Sequence, residues 1–71
     1  LYTTWPNADV ARAAARTLVD ERLIACANLI PGMESVYCWQ GAVETATEVV
    51  LLLKTTDERL AETMARVAEL H

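Results

Sequence analysis

The feature that most constrains this fold is a run of five consecutive apolar residues, Val49–Leu53, in a chain of 71 residues. A continuous apolar run of this length is typical of a strand that is covered on both faces. The residues immediately before it, Glu44–Glu48, are mostly polar. The sequence therefore predicts one long strand, Val43–Lys54, whose second half is buried within a sheet.

A strand end and a helix precede this long strand. Leu1–Thr4 contains residues that favour strands, and Pro6 is expected to end that strand. Asn7 is a suitable N-cap for a helix that runs from Ala8 to about Leu23. Small apolar residues recur at helical spacing on one face of this segment, and arginines lie on the opposite face. The helix is therefore predicted to pack closely against a sheet.

Two β-prone segments lie between this helix and the long strand. Ile24–Ile30 is apolar and of strand length, and Pro31-Gly32 is expected to break it with a turn or bend. Glu34–Gln40 then alternates between two faces. Gly41 tolerates a positive φ, so a tight turn into the long strand is expected there.

A second helix is predicted after the long strand. Thr55 and Glu58 have the spacing of a capping box at a helix start. The apolar stripe expected to face the sheet consists of Leu60, Met64, Val67 and Leu70. The order strand, helix, strand, strand, helix predicts an α+β, ferredoxin-like β-α-β-β-α-β sandwich. Its last strand and most of its first strand are expected to lie outside these residues.

Composition and charge exclude several classes of function. The formal net charge is −4 and the six basic residues are scattered, which argues against nucleic acid and anionic membranes as partners. No apolar run approaches the ~18 residues that a membrane-spanning helix needs. A single histidine, His71, leaves no nucleophile–base–orienter set, so we do not expect an enzyme.

Three blocks of sequence resemble the CutA divalent-cation tolerance family in both order and spacing. They are Leu23–Gly32 (LIACANLIPG), Ser35–Gly41 (SVYCWQG) and Glu48–Thr55 (EVVLLLKT), and His71 stands where the family has a His-Pro-Tyr segment. The resemblance implies that residues 1–71 are a single ferredoxin-like domain and a part of a longer subunit. It also implies a homotrimer, linked to divalent-cation tolerance, whose long hairpin strands reach neighbouring subunits. A cytoplasmic location is expected from the cysteines, because a disulfide scaffold would usually carry more than Cys26 and Cys38.

Metal binding is the function that the resemblance implies, because copper binding is reported for some members of the family. The implied ligands are Cys26 and, more weakly, His71. A thiolate suits Cu(I), and an imidazole adds a nitrogen donor. Cys26 lies between two alanines on an apolar strand, so an inert structural thiol is the competing interpretation. Copper is not expected to be required for folding.

A second group of residues, Tyr37, Trp39, Glu48 and Lys54, is expected to line a polar pocket between subunits. The resemblance suggests this pocket, and its charges and aromatic walls could hold a small anion or a metal-bound water. An interface salt bridge with aromatic packing is the plainer interpretation. The alternative function is therefore a PII-like trimeric scaffold for signalling or small-ligand binding, without metal chemistry.

The chain departs from the family pattern at the hairpin turn. The family usually has Trp-Glu-Gly-Lys where this chain has Trp39-Gln40-Gly41-Ala42, so one carboxylate and one ammonium group are lost. A function that relies on those two groups would be lost with them. Cys38 stands where the family commonly has an aromatic or other residue, so it is not counted as a ligand.

Overall fold

The computed structural model describes all 71 residues. The elements are β1 (Tyr2–Trp5), α1 (Ala8–Asp20), β2 (Cys26–Trp39), β3 (Ala42–Lys54) and α2 (Asp57–Leu70). The three strands form one sheet in the order β1-β3-β2, and both outer strands pair antiparallel with β3. β1 and β2 are therefore parallel to each other, as the helical crossover between them predicts. Neither helix has the length and apolar character needed to cross a membrane.

The apolar half of β3 is the centre of the structure. Its residues Val49–Leu52 pair with β1 on one side, and Val50–Lys54 pair with β2 on the other. Leu51 and Leu53 are almost completely buried, at 0% and 2% exposed. The predicted central strand is therefore confirmed, but its second face is only partly covered, because Val50 is buried there and Leu52 is half-buried. The polar half of β3 pairs with β2 alone, and residues 33–48 form a two-stranded extension that we call the hairpin arm.

β2 is one continuous strand, and the predicted break at Pro31-Gly32 is wrong. The pairing with β3 continues on both sides, but its register shifts between Ile30 and Met33. Pro31 and Gly32 of β2 thus lie opposite Val49 of β3 alone, and the one extra residue forms a β-bulge, which edge strands accommodate. Gly32 supplies the positive φ of 78° at this point. Pro31 is tolerated because a bulge on an edge strand does not need its missing N–H.

α1 begins as predicted and ends earlier than predicted. Asn7 caps its start, where the side-chain oxygen accepts a hydrogen bond from the Val10 N–H at 2.9 Å. Its helical stretch ends at Asp20. Arg22 then adopts a left-handed φ of 60°, and the Leu23 N–H donates back to the Leu18 carbonyl at 3.0 Å.

This helix end is a Schellman motif, because the Arg22 N–H also donates to the Val19 carbonyl at 2.9 Å. Glycine usually occupies the left-handed position of such a motif. Arginine stands there in this chain, so the sequence carries no local signal for the end of the helix. Leu23, which follows, is buried together with Leu18 in the core.

α2 presents only the second half of its predicted apolar stripe to the core, where Val67 and Leu70 pack. Met64 is 52% exposed and Leu60 is 38% exposed, whereas Thr63 is completely buried. The Thr63 hydroxyl is satisfied because it lies 2.8 Å from the Arg59 carbonyl and 3.1 Å from the Leu23 carbonyl. A buried hydroxyl with two acceptors thus replaces the predicted apolar contact.

The predicted capping box at the start of α2 is also wrong. Thr55 donates its hydroxyl hydrogen bond to the Leu23 carbonyl at 2.6 Å and does not cap the helix. The N-cap residue is Thr56, whose side chain makes no capping hydrogen bond. Two threonine hydroxyls, those of Thr55 and Thr63, therefore converge on one carbonyl and hold the α1–β2 loop against α2.

An ion pair strengthens this junction between the α1–β2 loop and α2. The Arg66 Nε and Nη2 atoms donate to the two Glu21 carboxylate oxygens at 2.8 and 2.9 Å. This bidentate geometry is the strongest form of such a pair. The hydrogen bonds from Arg66 lower the pKa of Glu21 below its ordinary value of 4.5.

We expect Glu21→Gln to lower the unfolding midpoint at neutral pH. A lowered folded-state pKa means that the carboxylate stabilises the protein above the ordinary Glu21 pKa of 4.5. That contribution is lost as the pH falls through the lowered pKa. Thermal unfolding of both proteins from pH 7 downward should therefore show a gap that closes in acid. The gap should also narrow with added salt, because the pair is partly exposed.

Asp20→Asn is the matched control, since it removes a neighbouring carboxylate that forms no ion pair. Its unfolding midpoint should track that of the parent protein across the same pH range. A gap for Glu21→Gln that stays constant in acid would contradict the assigned role of Arg66.

Candidate functional site

The hairpin arm exposes large apolar side chains. Val43 is 77% exposed, Val36 is 65% exposed and Trp39 is 59% exposed. The arm has only two strands, and most of its residues are exposed. A two-stranded ribbon is marginally stable alone in water. Another protein chain that packed against the arm would therefore bury this exposed apolar surface.

One chain does not bring together the four residues expected to line an intersubunit pocket. Trp39 pairs with Ala42 at the tip of the arm, whereas Lys54 lies at the other end of β3. Twelve residues of strand between Ala42 and Lys54 correspond to about 40 Å. The other two, Tyr37 and Glu48, lie between these ends. A pocket that used all four would need side chains from more than one copy.

The two central members of this group have local hydrogen-bond partners. The Tyr37 hydroxyl donates to the Glu44 carboxylate at 3.4 Å, across the arm. The Ser35 hydroxyl donates to the Glu48 carboxylate at 3.0 Å. Glu48 is half-buried at the base of the arm, so its carboxylate is held in place where the arm meets the core.

Cys26 is the first residue of β2, where it pairs with Lys54. It is half-buried and its thiol is free, and Cys38 is exposed and also free. The exposure of Cys26 therefore lies between that of an inert thiol in the core and that of a fully exposed metal ligand. The two cysteines are twelve residues apart on the same strand, a span of about 40 Å that excludes a disulfide within one chain.

His71 lies at the end of α2 and is held against β1. Its Nε2 atom is 2.7 Å from the Thr4 carbonyl oxygen, and its ring centroid is 4.8 Å from that of Trp5. A carbonyl oxygen only accepts hydrogen bonds, so Nε2 carries a proton and donates it. In the neutral imidazole Nδ1 is then the free donor atom for a metal. Histidines that bind a metal through one ring nitrogen typically donate the N–H of the other to a carbonyl or carboxylate in this way.

His71 and Glu48 line one cleft, although they were predicted in separate sites. The cleft has a volume of about 390 Å³ and lies where the hairpin arm leaves the core. Its remaining lining residues are Thr4, Pro6, Ala46 and Thr47. The structure therefore joins an imidazole and a carboxylate that are 23 positions apart in the sequence.

Cys26 and His71 do not meet within one chain. His71 contacts Thr4, which pairs with Val50, whereas Cys26 pairs with Lys54. Four residues along β3 correspond to about 13 Å, which is too far for two ligands of one metal ion. No group of three or more His, Cys, Asp or Glu side chains in the chain is arranged to hold a metal.

The fold and these sites define an α+β protein of the ferredoxin-like, PII-like class, with a projecting hairpin arm. The family model described as "CutA1 divalent ion tolerance protein" matches residues 1–71. The chain belongs to the CutA1 divalent ion tolerance family. The resemblance carried by the three sequence blocks is confirmed.

Individual relatives agree with this assignment. The chain is 47% identical over 68 residues to the divalent-cation tolerance protein CutA of Thermus thermophilus, covering 96% of this chain and 66% of that protein. The crystal structure of CutA from Xylella fastidiosa superposes with a TM-score of 0.93 at 40% identity, covering 99% of this chain and 67% of that one. A PII-like CutA from Nostoc sp. PCC 7120 gives 0.88 at 36% identity, covering 99% of this chain and 65% of that one.

The chain spans only part of the length of its curated relatives. It covers 66% of the Thermus thermophilus protein, 34% of the rice chloroplast protein and 46% of the Xenopus laevis homologue. The activity and the partners of a whole relative therefore reach this chain only as proposals.

The hydrogen bond between His71 and Thr4 predicts the tautomer of the imidazole. For the neutral imidazole we expect nitrogen-15 chemical shifts to show the proton on Nε2 and none on Nδ1. The physical reason is that the Thr4 carbonyl can only accept. A dominant Nδ1–H form would contradict this arrangement and would remove Nδ1 as a metal donor.

Proposed function

We propose that this chain is part of a divalent-cation tolerance protein that forms a homotrimer, binds copper or another divalent metal ion, and serves the response to metal. One observation carries the proposal: the candidate ligands and pocket residues are present in one chain but lie too far apart to form a site there. Assembly of several copies is the simplest way to complete a site. The family's name supports the link to divalent cations.

The homotrimer is supported by the hairpin arm. Val36, Trp39 and Val43 are largely exposed, and covering such apolar area stabilises association by roughly 25 cal/mol per Å². β2 is also an edge strand along its whole length, with unpaired backbone groups available to a neighbour. Neighbouring copies would cover both features and would bring Trp39 of one copy towards Glu48 or Lys54 of another.

Metal binding is proposed at Cys26 and at His71. Cys26 supplies a soft thiolate that suits Cu(I), and it is accessible enough to react because it is only half-buried. His71 supplies Nδ1, with Glu48 on the wall of the same cleft. The nine-residue core cluster contains neither Cys26 nor His71, so copper is not needed for folding in this proposal.

The proposed setting is the cytoplasm, with metal ions and further copies of the chain as partners. The net charge of −4 gives no general affinity for nucleic acid or anionic lipid, and neither is proposed as a partner. The family is named for tolerance and not for catalysis, and we propose no enzymatic activity.

A PII-like scaffold for signalling or small-ligand binding is the alternative function. Its support is the likeness to the PII-like CutA of Nostoc sp. PCC 7120. A shared fold does not specify a ligand. The family name favours divalent-cation tolerance over this alternative.

Copper titrations test the proposed ligands. We expect Cys26→Ser to weaken Cu(I) binding by about tenfold or more. Loss of a residue that only hydrogen-bonds a metal ligand already weakens metal binding by about tenfold, and Cys26 is proposed as a ligand itself. His71→Ala should weaken Cu(II) binding by a similar factor. Both are measured on the intact protein by competition with a chelator of known affinity.

Cys38→Ser is the matched control, because it removes an exposed thiol that is outside the proposed site. It should leave the affinity for Cu(I) unchanged. Unchanged affinity and stoichiometry in both Cys26→Ser and His71→Ala would remove these residues from the metal site.

Light scattering tests the homotrimer and the role of the hairpin arm. We expect the intact protein to have three times the mass of one chain at micromolar concentration. Trp39→Asp with Val43→Asp should lower the observed mass, because charges would then replace the apolar contacts. Val10→Asp is the control, since Val10 is also exposed but lies on α1. A monomeric parent protein would contradict the proposal.

A further inference from the structure

A second cleft lies at the end of the sheet opposite the hairpin arm, between the α1–β2 loop and the start of α2. Its volume is about 260 Å³. Arg22, on the loop, and Arg59, on α2, both line it, and Val19 and Ala25 contribute apolar wall. The two arginines are 37 positions apart in the sequence, so no local motif indicates that they share a cleft.

Neither arginine of this cleft is neutralised by an ion pair. The ion pairs of the chain involve Arg12 and Arg66 only. Both carboxylate oxygens of Glu21, the neighbour of Arg22, accept hydrogen bonds from Arg66. Two uncompensated guanidinium groups thus line one cleft of a chain whose net charge is −4.

Acidic side chains near the cleft form no ion pair with these arginines. Asp57 and Glu58 lie in the first turn of α2, where the helix dipole stabilises them, and both are exposed. Asp20 ends α1 and is also exposed. None of the three lies within ion-pair distance of Arg22 or Arg59.

The backbone holds the cleft in a defined shape. Hydroxyl groups of Thr55 and Thr63 both contact the Leu23 carbonyl, at 2.6 and 3.1 Å, and this ties the loop that carries Arg22 to the helix that carries Arg59. Arg22 itself has a φ of 60°, at a position where glycine would cost less. The arginine side chain is therefore present despite a backbone that disfavours it.

We propose that this cleft binds a small organic oxyanion, with the charged group between Arg22 and Arg59 and the apolar part against Val19 and Ala25. A guanidinium group donates two parallel hydrogen bonds to a carboxylate or a phosphate, which gives it both affinity and orientation. The proposal is independent of metal binding, because it uses neither Cys26 nor His71.

Chemical-shift titrations of the intact, metal-free protein test the proposal. The probes are acetate, butyrate and inorganic phosphate, at constant ionic strength, with butanol as the uncharged control. Butyrate should bind more tightly than acetate by about threefold or more, because two added methylene groups contact the apolar wall. Binding of phosphate but not of butyrate would identify a phosphate group as the ligand chemistry of the same cleft.

Substitutions locate the binding and separate it from general charge effects. Arg22→Gln and Arg59→Gln should each weaken binding of the effective anion by about tenfold, the effect of one charge-assisted hydrogen-bonding group. Arg16→Gln, which removes an exposed arginine outside the cleft, should leave it unchanged. Arg22→Gly should fold at least as well as the parent protein, because glycine accepts the φ of 60°, and should lose binding equally.

Two results would overturn the proposal. One is the absence of shifts around the cleft with every anion at millimolar concentration. The other is equal weakening by Arg16→Gln and by the two cleft substitutions, which would show that the anions respond only to overall charge. Copper binding would survive either result, so this test is separate from that of the proposed function.

Discussion

The structure depends on the burial of the apolar half of β3 between β1 and β2. Leu51 and Leu53 lie on the face of the sheet that α1 covers, and both belong to the core cluster. Because side chains alternate along a strand, a slip of one residue would turn these leucines away from the core. This burial fixes the register of all three strands. It therefore also fixes where the hairpin arm leaves the core and where Glu48 and His71 come to line one cleft.

The division of β3 into a buried and a polar half separates folding from assembly. The buried half completes a core within one chain, and the polar half continues as the hairpin arm, which is largely exposed in that chain. The same division places Cys26 near one end of the core and His71 near the other. One chain therefore carries the chemical groups of a site but not their final arrangement, which links any ligand binding to the meeting of several chains.

The α1–β2 loop is the second junction of the fold. It is held by threonine hydroxyls and by the pairing of Glu21 with Arg66, in addition to the buried side chains of Leu23 and Ile24. Polar interactions of this kind are directional, so they fix the loop more sharply than apolar packing does. These contacts therefore hold the two segments that bring Arg22 and Arg59 to the lining of one cleft.

The sequence alone determined the order of elements, the buried half of β3, the Asn7 cap and the family, because each is recorded in local periodicity or in contiguous blocks. Only the tertiary structure decided which residue in the middle of α2 is buried. Helical spacing indicated that Met64 would be buried. Thr63 is buried instead, because the Leu23 carbonyl, 40 positions away, accepts a hydrogen bond from its hydroxyl group. The tertiary structure likewise decided that His71 donates a hydrogen bond to the Thr4 carbonyl, 67 positions away. Such contacts depend on which segments meet, and local patterns do not record that.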